Sequence, residues 1–143
     1  MNTLPDWILY AFGSAFFASL TALFAKLGVG GLPSNLASFI RTVVILLVTA
    51  GIVSWRGEWQ KPASATPANW AWLILSGLAT GLSWLCYFRA LQSGPISRVA
   101  PLDKLSVAFA IVLGLIFVGE KPSWPIAIGA ALIVAGSIVI AVF

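Results

Sequence analysis

Apolar residues fall into five long runs separated by short polar breaks. The first, residues 7–25, carries no charge; Lys26 closes it and Gly28, Gly30, Gly31 and Pro33 break the pattern. The second, residues 36–55, is interrupted only by Arg41. The third covers residues 70–88, the fourth runs from about Ser97 to Val118 with Pro101, Asp103 and Lys104 near its start, and the fifth covers residues 124–143. A helix needs about 20 apolar residues to cross a bilayer core. Barrel strands alternate polar and apolar positions over about ten residues, whereas these runs are continuously apolar and twice as long. The pattern predicts an all-α, polytopic membrane bundle of five transmembrane helices at about residues 6–27, 35–55, 69–91, 97–118 and 123–142. Local signals agree. Pro5 and Asp6 suit a helix start, Ser34 or Asn35 would cap the second helix, and Gly94-Pro95 ends the third after Leu91. Gly119, Glu120, Lys121 and Pro122 form a tight turn, and Pro125 is tolerable in the first turn of the fifth helix. The one real loop, residues 56–69, holds Arg56, Glu58, Lys61 and two prolines.

Composition strengthens this picture and narrows the chemistry. Hydrophobic residues make up 60% of the 143, charged residues only 8%, and the mean hydropathy is +1.02. Soluble domains average about 25% charged residues, so lipid is the solvent that fits. No His is present, which excludes His-based triads and His-containing metal sites. The single Cys86, in an apolar run, forms neither an internal disulfide nor a metal cluster and reads as a small structural residue. No nucleophile–base pair or ligand set can be assembled, so neither an enzyme nor a cofactor is expected. The net charge of +4 is scattered between apolar runs, which is not a nucleic-acid footprint. No Lys or Arg precedes the first run and four more runs follow it, so a cleavable signal is not expected.

Five spans place the termini on opposite sides. The N-terminal side receives Arg56, Lys61 and Lys121; the other receives Lys26, Arg89 and Arg98, with Arg41 and Lys104 slightly inside the membrane on that half. Lys and Arg in short flanking loops set orientation. This near balance specifies orientation poorly and fits insertion in both directions, against the alternative of one orientation fixed by other features. Six of the seven tryptophans, Trp7, Trp55, Trp59, Trp70, Trp72 and Trp124, lie at the N-terminal side, where interfacial anchoring accounts for them.

Charges at membrane depth cost about 2.5–3.5 kcal/mol each on insertion scales. Lys26, Arg41, Arg89, Asp103 and Lys104 concentrate in one half of the membrane. Asp103 and Lys104, being adjacent, point about 100° apart on a helix. Asp103 is therefore expected to pair across helices, with Lys26, Arg41 or Arg89; a structural ion pair and a substrate or proton site both fit. Two polar stripes recur at helical spacing: Ser76, Thr80, Ser83 and Tyr87, bordered by Trp84, and Tyr10, Ser14, Phe17 and Thr21. Interhelical hydrogen bonding explains such faces, and so does a cavity lined with hydroxyls and rings. With Ser38, the hydroxyls of Tyr10, Ser14, Thr21, Thr80 and Ser83 are the candidate lining. Gly77 with Gly81, and Ala127, Ala131 and Ala135, are candidate helix-packing positions. Pro101 reads as a first-turn proline or as a break beside charges, the latter a habit of transporters.

These residues also carry a resemblance. Val99-Ala-Pro-Leu-Asp-Lys-Leu-Ser, then Gly114-Leu-Ile-Phe-Val-Gly-Glu-Lys-Pro-Ser, then Ile128-Gly-Ala-Ala-Leu-Ile-Val-Ala-Gly136 resemble an EamA domain, the repeat unit of the drug/metabolite transporter superfamily. Ala25-Lys26-Leu27 and Ser38-Phe39-Ile40-Arg41 are similar too. The likeness covers nearly all of residues 1–143, as a single domain. Most EamA transporters resemble two such units fused; this chain resembles the short, five-helix members. Where an ordinary unit often has a proline in mid-helix, this one reads Asp103-Lys104-Leu105-Ser106.

The resemblance implies an integral, multi-pass protein of the bacterial cytoplasmic membrane. It implies a secondary transporter, an exporter of a small polar or anionic metabolite acting by alternating access. An odd-helix unit must invert to pair about an axis in the membrane plane, so an antiparallel homodimer with dual topology is implied, against the alternatives of a parallel dimer or pairing with a different half-sized chain. No GxxxxGK(S/T) stretch is present, which favours proton coupling or exchange over ATP. Lys26, Arg41, Asp103 and Lys104 are the candidates for charge recognition, and Trp84 and Tyr87 for substrate contact. Small-cation exporters of the superfamily use a membrane Glu in the first helix; here that helix has no acid after Asp6, and cations surround Asp103. The competing reading is a non-transporting membrane subunit or flippase partner.

Overall fold

The computed structural model describes residues 5–60, 65–121 and 123–143. Lys61, expected in the long loop, and Pro122, expected in the tight turn, lie outside the described residues. The structure is all-helical, with no strand among the described residues. Among the described residues, five segments are long and apolar enough to cross a membrane. They are α1 (Asp6–Gly28), α2 (Ser34–Arg56), α3 (Pro67–Ser93), the span Ile96–Val118 and α6 (Trp124–Val142). Their side chains agree with lipid as solvent: Tyr10, Phe12, Leu73, Phe109, Phe117 and Leu132 are all exposed. In water such apolar surface would drive aggregation.

The ends follow from local chemistry. Asp6 is in the first turn of α1, where a negative charge meets the positive end of the helix dipole. The N-cap of α2 is Pro33, extended at φ −57° and ψ 134°, rather than Ser34 or Asn35. Ser34 is already helical and buried, so its hydroxyl turns inward. α2 closes with Gly57 N–H donating to Ser54 O and Glu58 N–H to Val53 O, a Schellman-type end. α3 begins earlier than the apolar run, because Pro67 suits the first helical position and the Thr66 hydroxyl accepts from the Asn69 N–H at 3.4 Å.

The fourth span is not one uniform helix. It divides into α4 (Ile96–Asp103), α5 (Leu105–Leu113) and a π-helical turn (Gly114–Val118). Pro101 lies inside α4, not in its first turn, and lacks the N–H that would reach the Ser97 carbonyl. The chain tightens there: Lys104 N–H donates to Pro101 O, and Val107 N–H to Lys104 O, both at 3.0 Å. At the other end Gly119 takes φ 77°, favourable only without a Cβ, and both its N–H and that of Glu120 reach Gly114 O.

Cα proximity divides the chain into two compact units. One joins the N-terminal segment up to Phe24 with Ser93–Phe143; the other is Ala25–Gln92. In the first unit α6 packs against α4 and α5. Its less exposed stripe is Ala130, Val134, Ser137 and Ala141, and Arg98 donates to the carbonyl of Phe143 at 3.3 Å. In the second, Ala25, Val29, Ala37, Phe88 and Leu91 are buried with Ser34 and Ser38. The turn between α1 and α2 is fastened to the end of α3 by two hydrogen bonds of 2.6 Å, from Lys26 Nζ to Leu91 O and from Gln92 Nε2 to Leu32 O.

Candidate functional site

The unit Ala25–Gln92 brings four of the six proposed substrate residues into one helix assembly. Arg41 is the eighth residue of α2, about 10 Å along the axis from its start. Trp84 lies nine residues before the end of α3, about 14 Å from it. The Arg41 guanidinium carbon lies 3.2 Å from the centroid of the Trp84 ring. Tyr87 meets Trp84 edge-on at 5.5 Å between centroids, with planes at 76°. Phe88, buried, tilts against the same ring at 6.0 Å and 56°. Helical spacing produces this cluster, since residues three and four apart share a face.

Ser38 is buried one turn before Arg41, and the hydroxyl of Thr42 donates to its carbonyl at 2.9 Å. Lys26 places its ammonium on the Leu91 carbonyl, where the last turn of α3 presents the negative end of its dipole. That contact gives Lys26 a fastening role at the helix end. The unit contains one acid, Glu58, which pairs with Arg56 at 2.6 Å. That pair lies fifteen residues along α2 from Arg41, about 22 Å away. The Arg41 end of the unit is therefore cationic.

The other two proposed residues lie in the other unit. Asp103 ends α4 and its carboxylate lies 3.5 Å from Lys104 Nζ. Within its own unit the carboxylate meets this neighbour because the helix stops between them and the flexible lysine stem reaches back. Both side chains are well exposed. Among the candidate lining residues, Tyr10, Ser14, Thr80 and Ser83 are exposed and Thr21 is half-buried. The Thr80 hydroxyl is satisfied by the Ser76 carbonyl at 2.8 Å. A Cβ added at Gly77 or Gly81 would meet open space, and Ala127, Ala131 and Ala135 are exposed on α6.

Two contacts were not brought out by the sequence pattern alone. Phe88 backs the indole, and its position four residues after Trp84 was the available signal. The carboxylate of Glu120 folds back over Gly114, where an added Cβ would lie 3.0 Å from Oε2. Nothing in local spacing signals that contact, because it depends on the π-helical turn.

With a cation held on one aromatic ring between two membrane-spanning helices, comparison with known proteins gives the class. The family model described as EamA-like transporter family matches residues 6–142, and the chain belongs to that family. It is an integral, multi-pass membrane protein of the drug/metabolite transporter type. A Sinorhizobium sp protein, described as an uncharacterized transporter in the cobO 3' region, is 53% identical over 96% of this chain and 98% of its own length. The uncharacterized transporter YxxF of Bacillus subtilis is 26% identical over 90% of this chain, and a riboflavin transporter of Vibrio cholerae is 28% identical over 85%. In each of these last two the match spans 40% of the relative's length. No solved structure matches the chain significantly.

Proposed function

We propose that the protein is a secondary transporter that exports a small polar or anionic metabolite across the bacterial cytoplasmic membrane. It works by alternating access between two copies inserted in opposite orientations. The observation that carries the reading is the Arg41 guanidinium on Trp84, at membrane depth, in a unit whose acid is at the far end. A charge there needs a function or a partner. Pairing is supported by length: a unit of this size matches 40% of two longer relatives and nearly all of a short one. Lys26 steadies the site from the end of α3, and Asp103 with Lys104 forms a second charged locus at a helix break, suited to exchanging a proton or a substrate contact. Gly77 with Gly81, and the alanine ladder of α6, offer close-approach faces for the second copy.

The test is flux. Liposomes containing the purified protein should take up at least one solute from a panel of labelled organic anions. Riboflavin belongs in the panel because a relative carries that name. Arg41→Ala should lower the flux about tenfold or more, the scale of one lost charge-assisted contact. No flux across the panel, with stable capture of another membrane protein, would establish the non-transporting subunit instead.

A further inference from the structure

We propose that Arg41 and Trp84 form a recognition element for a flat, conjugated carboxylate. This deepens the transporter reading and rests on it for the site's access to solute. The argument begins with the distance. Guanidinium C–N bonds are about 1.33 Å long. If the group stood on edge over the indole with its carbon at 3.2 Å, a nitrogen would fall about 2 Å from the ring, inside contact distance. The guanidinium therefore lies flat on the indole. Its five N–H donors then radiate sideways in a plane parallel to the ring, and the indole face uses none of them.

Within Ala25–Gln92, among the described residues, Arg41 donates to no carboxylate: the acid of that unit is held by Arg56 at the opposite end. The two-pronged edge of the fork matches the two oxygens of a carboxylate, and such a pair is coplanar. An anion gripped this way has its charge in the plane of the guanidinium, parallel to Trp84. A substituent conjugated with the carboxylate stays in that plane, where its edge meets the ring of Tyr87, which stands at 76° to Trp84, while buried Phe88 only backs the indole. A saturated, puckered substituent leaves the plane and loses that contact. A flat cation is repelled by Arg41, and a flat neutral molecule leaves the fork unfilled. The element thus selects on two properties together, negative charge and planarity.

The experiment is equilibrium binding by calorimetry on the full-length protein in a neutral detergent. The ligands are 2-naphthoate, cyclohexanecarboxylate, 2-naphthalenemethanol and a naphthyl trimethylammonium salt. The expected result is binding of 2-naphthoate at least about tenfold tighter than any of the other three. Arg41→Lys, which keeps the charge but loses the fork and the flat stack, should weaken 2-naphthoate about tenfold. Trp84→Phe should retain part of the binding and Trp84→Leu little. Equal binding of the two carboxylates overturns the proposal, as does an Arg41→Lys protein that binds like the parent. Loss of 2-naphthoate binding when phosphatidylglycerol is added also overturns it, since Arg41 then serves a lipid phosphate. The wild-type panel decides the matter even if a variant fails to fold. Flux separates the two readings. Solute movement without this selectivity removes the recognition element and leaves transport standing, whereas selective binding without flux does the reverse.

Discussion

Glu120 and Gly114 show how much a single missing methyl group can matter at a helix end. Gly114 keeps ordinary helical angles, φ −61° and ψ −41°, so alanine would suit its backbone and should gain up to about 1 kcal/mol of helix propensity. What argues against alanine is the carboxylate folded over it, with Oε2 3.0 Å from where the Cβ would be. That carboxylate ends a flexible side chain and can swing away, so the penalty is of the same order as the gain. Gly114→Ala is therefore expected to be close to neutral in the wild-type background, and to stabilise by about 1 kcal/mol once Glu120→Ala has removed the obstacle. Unfolding in mixed micelles measures both, and equal effects in the two backgrounds would dismiss the contact. The Gly-Glu sequence was visible from the start as a turn, but its reach back to Gly114 was not. Two backbone donors converging on one carbonyl make that approach, and linear spacing says nothing of it. The reverse holds for Arg41, Trp84 and Tyr87. A lone cation in an apolar run and a ring beside a hydroxyl stripe stood out as candidates because a charge in lipid needs a reason, and the structure brings these side chains together.

Elements were more legible than residues where lipid imposes the rule and less so where tertiary bonding does. Five apolar runs became five spans because a backbone in hydrocarbon must satisfy itself as a helix. The third started three residues before the first tryptophan of its run, since Pro67 and the Thr66 cap add a turn that hydropathy does not register. The fourth looked like one helix and is three pieces. Its division follows from Pro101, whose missing donor loosens the turn ahead of Asp103 and Lys104. If this break is the hinge of alternating access, straightening it should stabilise the protein while slowing it. Pro101→Ala restores a helix donor, and should raise stability in micelles by about 1–3 kcal/mol while lowering flux several-fold. A variant that is less stable, or equally fast, would make the proline a packing residue instead.

At the scale of the whole molecule, two copies proposed to work in opposite orientations must acquire those orientations. The match spans 40% of two longer transporters and 98% of a short one. Fusion fixes the relative orientation of two halves covalently. Separate copies have to achieve it during insertion, and the signal available is the distribution of Lys and Arg near the membrane surfaces. By sequence position, Arg56, Lys61 and Lys121 fall in breaks expected at one side and Lys26, Arg89 and Arg98 in breaks expected at the other, so neither side is expected to gain an excess. Arg41, deeper on that side, is withdrawn onto Trp84, which weakens the bias it would add. A population inserted both ways is the expected outcome. Reporter tags on each terminus in turn should show both tags on both faces, in comparable amounts. Adding two lysines to one flank, for instance at the exposed positions Asn35 and Ser97, should collapse the population to a single orientation and abolish flux. Co-expression with a chain biased the opposite way should restore it, because the pair would again contain one copy of each orientation. Tags confined to one face in the unaltered chain would remove the inverted pair and leave a parallel assembly.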